Sequence, residues 1–218
     1  KKAEQDLSND YQSSLDTLQD AYTKADDAVR VKTSGIFKGS KDSGYSVTFV
    51  SCDGQAESEA AFLRLSFEST LAQWRKELDA FSITTPPDTL EQGLVRATVI
   101  LNDVKTFLKR TNDMLVTGCT VNDTRYDMYR TNVNTARTNI GTVLTSVNTL
   151  AQTIASQKIV VARIQDELAL KRVGATPEQL AAAEADVRRA EGQIAVVQAQ
   201  IEATIIRAPF AGVITRHD

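Results

Sequence analysis

Two cysteines and one histidine are the only thiol and imidazole side chains in this sequence of 218 residues. Cys52 and Cys119 lie far apart, and His217 stands at the far end of the chain. A structural zinc site needs four closely placed N or S ligands, more than these residues supply. No Ser, Cys or carboxylate constellation surrounds His217, so no nucleophile–base pair is expected. The sequence therefore reads as a non-enzyme that needs no cofactor. Lys and Arg number 25 against 28 Asp and Glu, a net charge of −3 with both signs interspersed. The basic stripe that nucleic-acid binding requires is missing, and so is any run of apolar residues long enough to span a bilayer. Trp74, Phe67, Phe81 and Phe107 have the bulk for a ligand cage, but their helical spacing fits a core. Asp26-Asp27, Glu184, Asp186 and Arg188-Arg189 read as solvated helix faces with i,i+4 pairs.

The elements that position these groups are dominated by one stretch, Asp123 to Arg172. Tyr126, Val133, Ile140, Val147, Ile154, Val161 and Leu168 recur every seven residues. Tyr129, Ala136, Val143, Leu150, Gln157 and Ile164 interleave with them, and only Gln157 breaks the apolar seam. A 3.5-residue repeat sustained this far predicts a helix packed along its length against other helices. At about 1.5 Å per residue it would be roughly 70–75 Å long, more than a compact domain needs. Gln157 either fixes register between helices or marks where the rod leaves a bundle.

Three helices precede the rod. Residues 1–34 carry the stripe Tyr11, Leu15, Leu18, Tyr22, Ala25 and Val29, and Gly35 suits the stop. Residues 35–57, rich in Gly, Ser, Lys and Asp, are expected to form a long loop. The alternation Tyr45, Val47, Phe49 there allows a short strand, without an evident partner. The second helix is expected from Ser58 to Phe81, with Leu63, Phe67, Leu71, Trp74, Leu78 and Phe81 on one face. Pro86 and Pro87 end it, and Asp88 is expected to cap a third helix over 89–116. That helix carries Leu90, Leu94, Ala97, Leu101, Val104 and Leu108. Asn122 or Asp123 would cap the rod. Four such stripes close most economically as an antiparallel four-helix bundle over residues 1–150.

Residues 151–203 read as a coiled-coil hairpin arm with a break at 173–177. Gly174 can end a helix in the left-handed conformation, Thr176 can cap the next, and Pro177 suits its first turn. Gln179 can complete a capping box. Gly–Pro punctuation with caps on both sides favours a reversal over a kink. In the following helix Leu180, Val187, Ile194 and Ile201 hold one seam position, while Ala183, Ala190, Val197 and Thr204 hold the other. At Thr204 the pattern turns β-branched and is broken by Pro209 and Gly212. The fold class expected is thus mainly α: an antiparallel bundle and a long hairpin, then a short β segment over 204–218. The chain opens on Lys1-Lys2 inside a helical pattern and reads as an excised piece of a longer polypeptide.

A heptad helix running into Thr204-Ile205-Ile206-Arg207-Ala208-Pro209-Phe210-Ala211-Gly212-Val213-Ile214 resembles the return arm of the membrane fusion proteins, or HlyD-family periplasmic adaptors. In that family a helical hairpin is inserted between two halves of a lipoyl-like β-domain, and the second half opens with such a motif. Thr204, Ile206, Arg207, Ala208, Pro209, Phe210, Gly212 and Val213 carry the match; Ala211 stands where Asp is usual. The Gly174-Ala175-Thr176-Pro177 break is similar to the family's arms. The motif covers about residues 165–215, whereas residues 1–165 match by pattern alone, and the bundle is larger than a simple hairpin. No Lys follows Lys171, so a lipoyl attachment site is not expected.

The resemblance implies an extracytoplasmic, membrane-anchored adaptor. It would link an inner-membrane transporter of ABC, RND or MFS type to an outer-membrane channel or the exterior, in efflux or secretion. It also implies a homo-oligomeric ring in the whole protein, with this chain monomeric or weakly associating alone. Cys52 lies between helices one and two and Cys119 between three and four, loops that an up-down bundle places at the same end. A disulfide between them is expected, since such a compartment permits it, and would contribute about 4 kcal/mol less any strain. The alternative is an extracytoplasmic four-helix sensory or ligand-binding module, whose last helix would continue into a membrane span.

Overall fold

The computed structural model describes residues 1–51, 53–115, 124–207 and 212–213. Five helices and one hairpin follow in order: α1 (Lys2–Asp26), β1 (Phe37–Ser40), β2 (Gly44–Val47), α2 (Gly54–Asp79), α3 (Pro87–Asp113), α4 (Thr124–Val173) and α5 (Pro177–Thr204). The protein is mainly α, with a single two-stranded antiparallel sheet among the described residues. It divides into two compact units, Lys1–Arg163 and Ile164–Asp218, and α4 belongs to both.

The first unit is built on the four apolar stripes. Leu18, Ala21 and Ala25 of α1, Phe67, Leu71 and Trp74 of α2, and Leu94, Ala97, Leu101, Val104 and Leu108 of α3 are buried in one core. Val133, Ala136, Ile140, Val143, Val147 and Ile154 of α4 complete it. Trp74, Phe67 and Phe107 are therefore core residues, and Phe81 is half-buried against them. Cross-helix pairs fix the directions. Arg110 meets Glu59 while Arg96 meets Glu77, so α2 and α3 run antiparallel. Arg130 reaches Leu115, Asn148 reaches Thr98 and Lys158 reaches Glu91, so α3 and α4 do too. Buried hydroxyls are satisfied locally: Ser14, Thr33 and Thr111 donate to the carbonyl four residues earlier.

Several boundaries differ from the pattern-based ones. The α-helical part of α1 ends at Asp26 and continues as a π-turn over Asp27–Val31. Arg30 on that turn pairs with Asp26 at 3.1 Å and with Glu68 at 3.2 Å. Gly35 is not a left-handed helix stop. A Cβ there would lie 2.8 Å from the Tyr129 ring, so the residue is small because α4 passes close by. The loop expected over 35–57 contains the hairpin, and β2 does have a partner: Phe37 opposes Val47 and Ser40 opposes Gly44. Phe49 lies beyond the strand and packs on Tyr126 and Tyr129. Helix α2 starts at Gly54, four residues earlier than its apolar pattern, because the Asp53 carboxylate accepts from the Ala56 N–H. Asp88 does not cap α3. It sits in the first turn, Pro87 holds the first position, and Pro86 precedes it without a side-chain cap. The expected caps of α4 at Asn122 and Asp123 lie outside the described residues.

A half-buried network clamps the hairpin to α2. The Arg64 guanidinium stacks 4.5 Å over the Tyr45 ring and pairs with Glu68, and the Tyr45 hydroxyl donates to Glu68 at 2.9 Å. Burial alone would raise the Glu68 carboxyl. The hydrogen bonds from Arg64 and Tyr45, with the Arg64 and Arg30 charges, outweigh it and hold the group below its ordinary value.

Leu101 is fully buried at the middle of α3. Leu101→Ala is expected to cost about 2–5 kcal/mol of bundle stability, through lost transfer energy and a residual cavity, in urea denaturation followed by circular dichroism.

Candidate functional site

The groups picked out by the sequence lie where α4 leaves the core and along the second unit. Ile154 is the last buried residue of α4, with Gln157 half-buried just beyond it. Gln157 thus stands where the rod leaves the bundle, the second of the two roles the seam allowed. One residue later Lys158 donates to both carboxylate oxygens of Glu91, at 2.8 and 3.1 Å. Glu91 also accepts from the Tyr11 hydroxyl. Helices α1, α3 and α4 are therefore tied at one point by a cation, an anion and a phenol. The Lys158 and Tyr11 hydrogen bonds hold the Glu91 carboxyl below its ordinary value, against a smaller opposing effect of burial. Burial first, and then the bond to Glu91, push the Tyr11 phenol up.

In the second unit the expected break is realised residue by residue. Gly174 has φ +72°, the left-handed value that ends a helix at low cost only for glycine. Thr176 is extended and accepts from the Gln179 N–H at 3.3 Å, while the Gln179 side chain accepts from the Thr176 N–H at 3.0 Å. That is a complete capping box, with Pro177 in the first turn. The seam itself is uncovered. No residue of α5 is buried, and Leu168, Leu180, Val187, Ile194 and Ile201 are 47–57% exposed. A seven-residue apolar repeat held at that exposure is a stripe left uncovered by the described residues.

Helix α5 ends at Thr204, and Ile205 is extended at φ −89° and ψ 104°. Ile206 and Arg207 follow without regular structure, and Gly212 and Val213 are likewise outside any element. Ile206 and Val213 are almost wholly exposed. Ala208, Pro209 and Phe210 lie outside the described residues, as do Cys52 and Cys119, so the expected disulfide falls there as well. Among the described residues there is no group of three or more His, Cys, Asp and Glu able to hold a metal ion. No described helix is long and apolar enough to cross a membrane. Two features are invisible to the heptad pattern: the Tyr11–Glu91–Lys158 clamp, and a cation-lined groove between α3 and α4. Each is assembled from residues distant in sequence. The only local hint is that Glu91 and Lys158 lie just off their apolar stripes.

Comparison with protein-family models, with curated proteins and with solved structures finds no match to this chain.

Two outcomes test this geometry. Thr176→Ala removes one half of the capping box and is expected to cost about 1 kcal/mol of local stability, read as faster exchange of the Gln179 and Leu180 amides. Glu91 has a depressed folded-state pKa, so its contribution is present above its ordinary 4.5 and is lost as pH falls through the folded value. Glu91→Gln is therefore expected to be less stable than the parent at pH near 6, with the gap closing as pH falls toward about 3. Urea midpoints across that range check the sign.

Proposed function

We propose that this chain is the helical arm of an extracytoplasmic adaptor that couples a membrane transporter to an outer channel or to the exterior, without catalysis of its own. The observation that carries the reading is the junction at Thr204. There a heptad helix stops and Ile205 is extended, at the head of Thr204-Ile205-Ile206-Arg207-Ala208-Pro209-Phe210-Ala211-Gly212-Val213, a sequence similar to the opening of the second lipoyl-like half in membrane fusion proteins. The capped break at Gly174–Pro177 and the uncovered stripe on α5 support it, since an arm that docks on partner helices needs an apolar face left free. In this reading residues 204–215 pair with β-strands of a lipoyl-like domain. The transporter would be of ABC, RND or MFS type, and the whole protein would assemble as a ring.

The test is to purify the full-length protein, tagged, from cell envelopes after mild crosslinking and to identify what comes with it by mass spectrometry. A polytopic inner-membrane transporter recovered in stoichiometric amount is the expected result. Fractionation with the cytosol, or recovery without any transporter, overturns the assignment. Recovery with a signalling protein would instead support the sensory reading.

A further inference from the structure

The charges on the outer surface of the bundle are segregated by helix. Between Ala3 and Thr23, α1 carries five carboxylates and no cation. Glu4 pairs with the amino terminus, while Asp6, Asp10, Asp16 and Asp20 have no cationic partner among the described residues. Asp16 and Asp20 are exposed, one helical turn apart, on the side of α1 away from Leu18. An open groove of about 800 Å³ runs between α3 and α4. Lys105, Lys109 and Arg137 line it with Asn102, Asn112 and Asn134. Its one carboxylate, Asp113, already binds Lys109 at 2.9 Å. Lys105 and Arg137 have no acidic partner among the described residues, although the chain as a whole is acidic.

The spacing matches as well as the sign. Lys105 and Lys109 are also one turn apart, so two carboxylates on a helix laid along the groove are in register with both, meeting Lys105 directly and sharing Lys109 with Asp113. Arg137 lies across the groove from the lysine pair. Over residues 131–157 it is the only charge on α4, whose solvent face is otherwise mostly Thr, Ser, Asn and Gln, with Gly141 and Ala155. That uncharged face opposes no approaching anion and costs less to desolvate than a charged one would.

We propose that the α3–α4 groove of one molecule receives the acidic outer face of α1 from a second copy of this chain. The two patches lie on different surfaces, so the contact is heterologous and can repeat from copy to copy. Exposed ion pairs contribute little each, so the association is weak and depends on salt. The proposal stands on charge placement in the first unit and holds whether or not the transport reading does.

Sedimentation velocity of the whole chain at low salt is expected to show reversible self-association that weakens at least about tenfold as salt rises to about 0.5 M. Lys105→Glu/Lys109→Glu/Arg137→Glu and Asp16→Lys/Asp20→Lys are each expected to be monomeric alone and to associate when mixed. The unaltered groove of one variant then meets the unaltered α1 face of the other, so restored binding shows that these two faces pair with each other, and its salt dependence shows that charge carries the contact. If the triple variant loses helicity, Asp16→Asn/Asp20→Asn, which only neutralises the solvated face of α1, is expected to weaken association alone. A wild-type chain that stays monomeric at low salt overturns the proposal, as does association indifferent to these variants or a mixture that stays monomeric.

Discussion

One helix has to satisfy two environments without a break. Over its first thirty residues α4 closes the core, placing Val133, Ile140, Val147 and Ile154 against the stripes of three other helices. Beyond Ile154 the same backbone continues to Val173 with no further buried side chain. The core can hold the first part only because the apolar residues keep the seven-residue period that presents them on one face. The uncovered part retains the period although no described residue buries it. Buried area gives the first unit its stability, whereas the described residues of the second contribute caps, backbone hydrogen bonds and exposed ion pairs such as Arg188–Glu184 and Arg189–Asp186.

The helices were legible because each carries several turns of unbroken periodicity, and tertiary packing obeys the same period. Leu90, Leu94, Ala97, Leu101, Val104 and Leu108 are all buried, as their spacing requires. Legibility failed where a structure rests on one long-range contact or one hydrogen bond. The β1 sequence, Phe37-Lys38-Gly39-Ser40, has no alternation to declare a strand, and its register depends on β2. The early start of α2 depends on the Asp53 side chain. At Gly35 the residue type was informative, but its reason was the Tyr129 ring, ninety-odd residues away, and not a helix stop.

The same division applies to the candidate sites. Gly174, Thr176, Pro177 and Gln179 interact within one turn, so stereochemistry alone dictates their arrangement. The clamp at Glu91 and the groove beside Arg137 join side chains from separate helices. Single residues such as Lys105 look like ordinary surface charge until the bundle places α3 beside α4. Segregation of charge by helix emerges only when the topology is known, because the overall composition is nearly balanced.

The pairing of α3 with α4 is fastened differently at its two extremities. Near Leu115, the Arg130 guanidinium donates two hydrogen bonds to the Leu115 carbonyl, at 2.9 and 2.7 Å. A guanidinium keeps its proton across the whole accessible range and a carbonyl has none to gain, so this clasp is blind to acidity. The opposite clasp, Lys158 on Glu91, depends on an ionised carboxylate. Within the α3–α4 pairing, acidification therefore acts on the Lys158–Glu91 clasp, at the root of the stretch of α4 beyond the core, and not on the Arg130–Leu115 one.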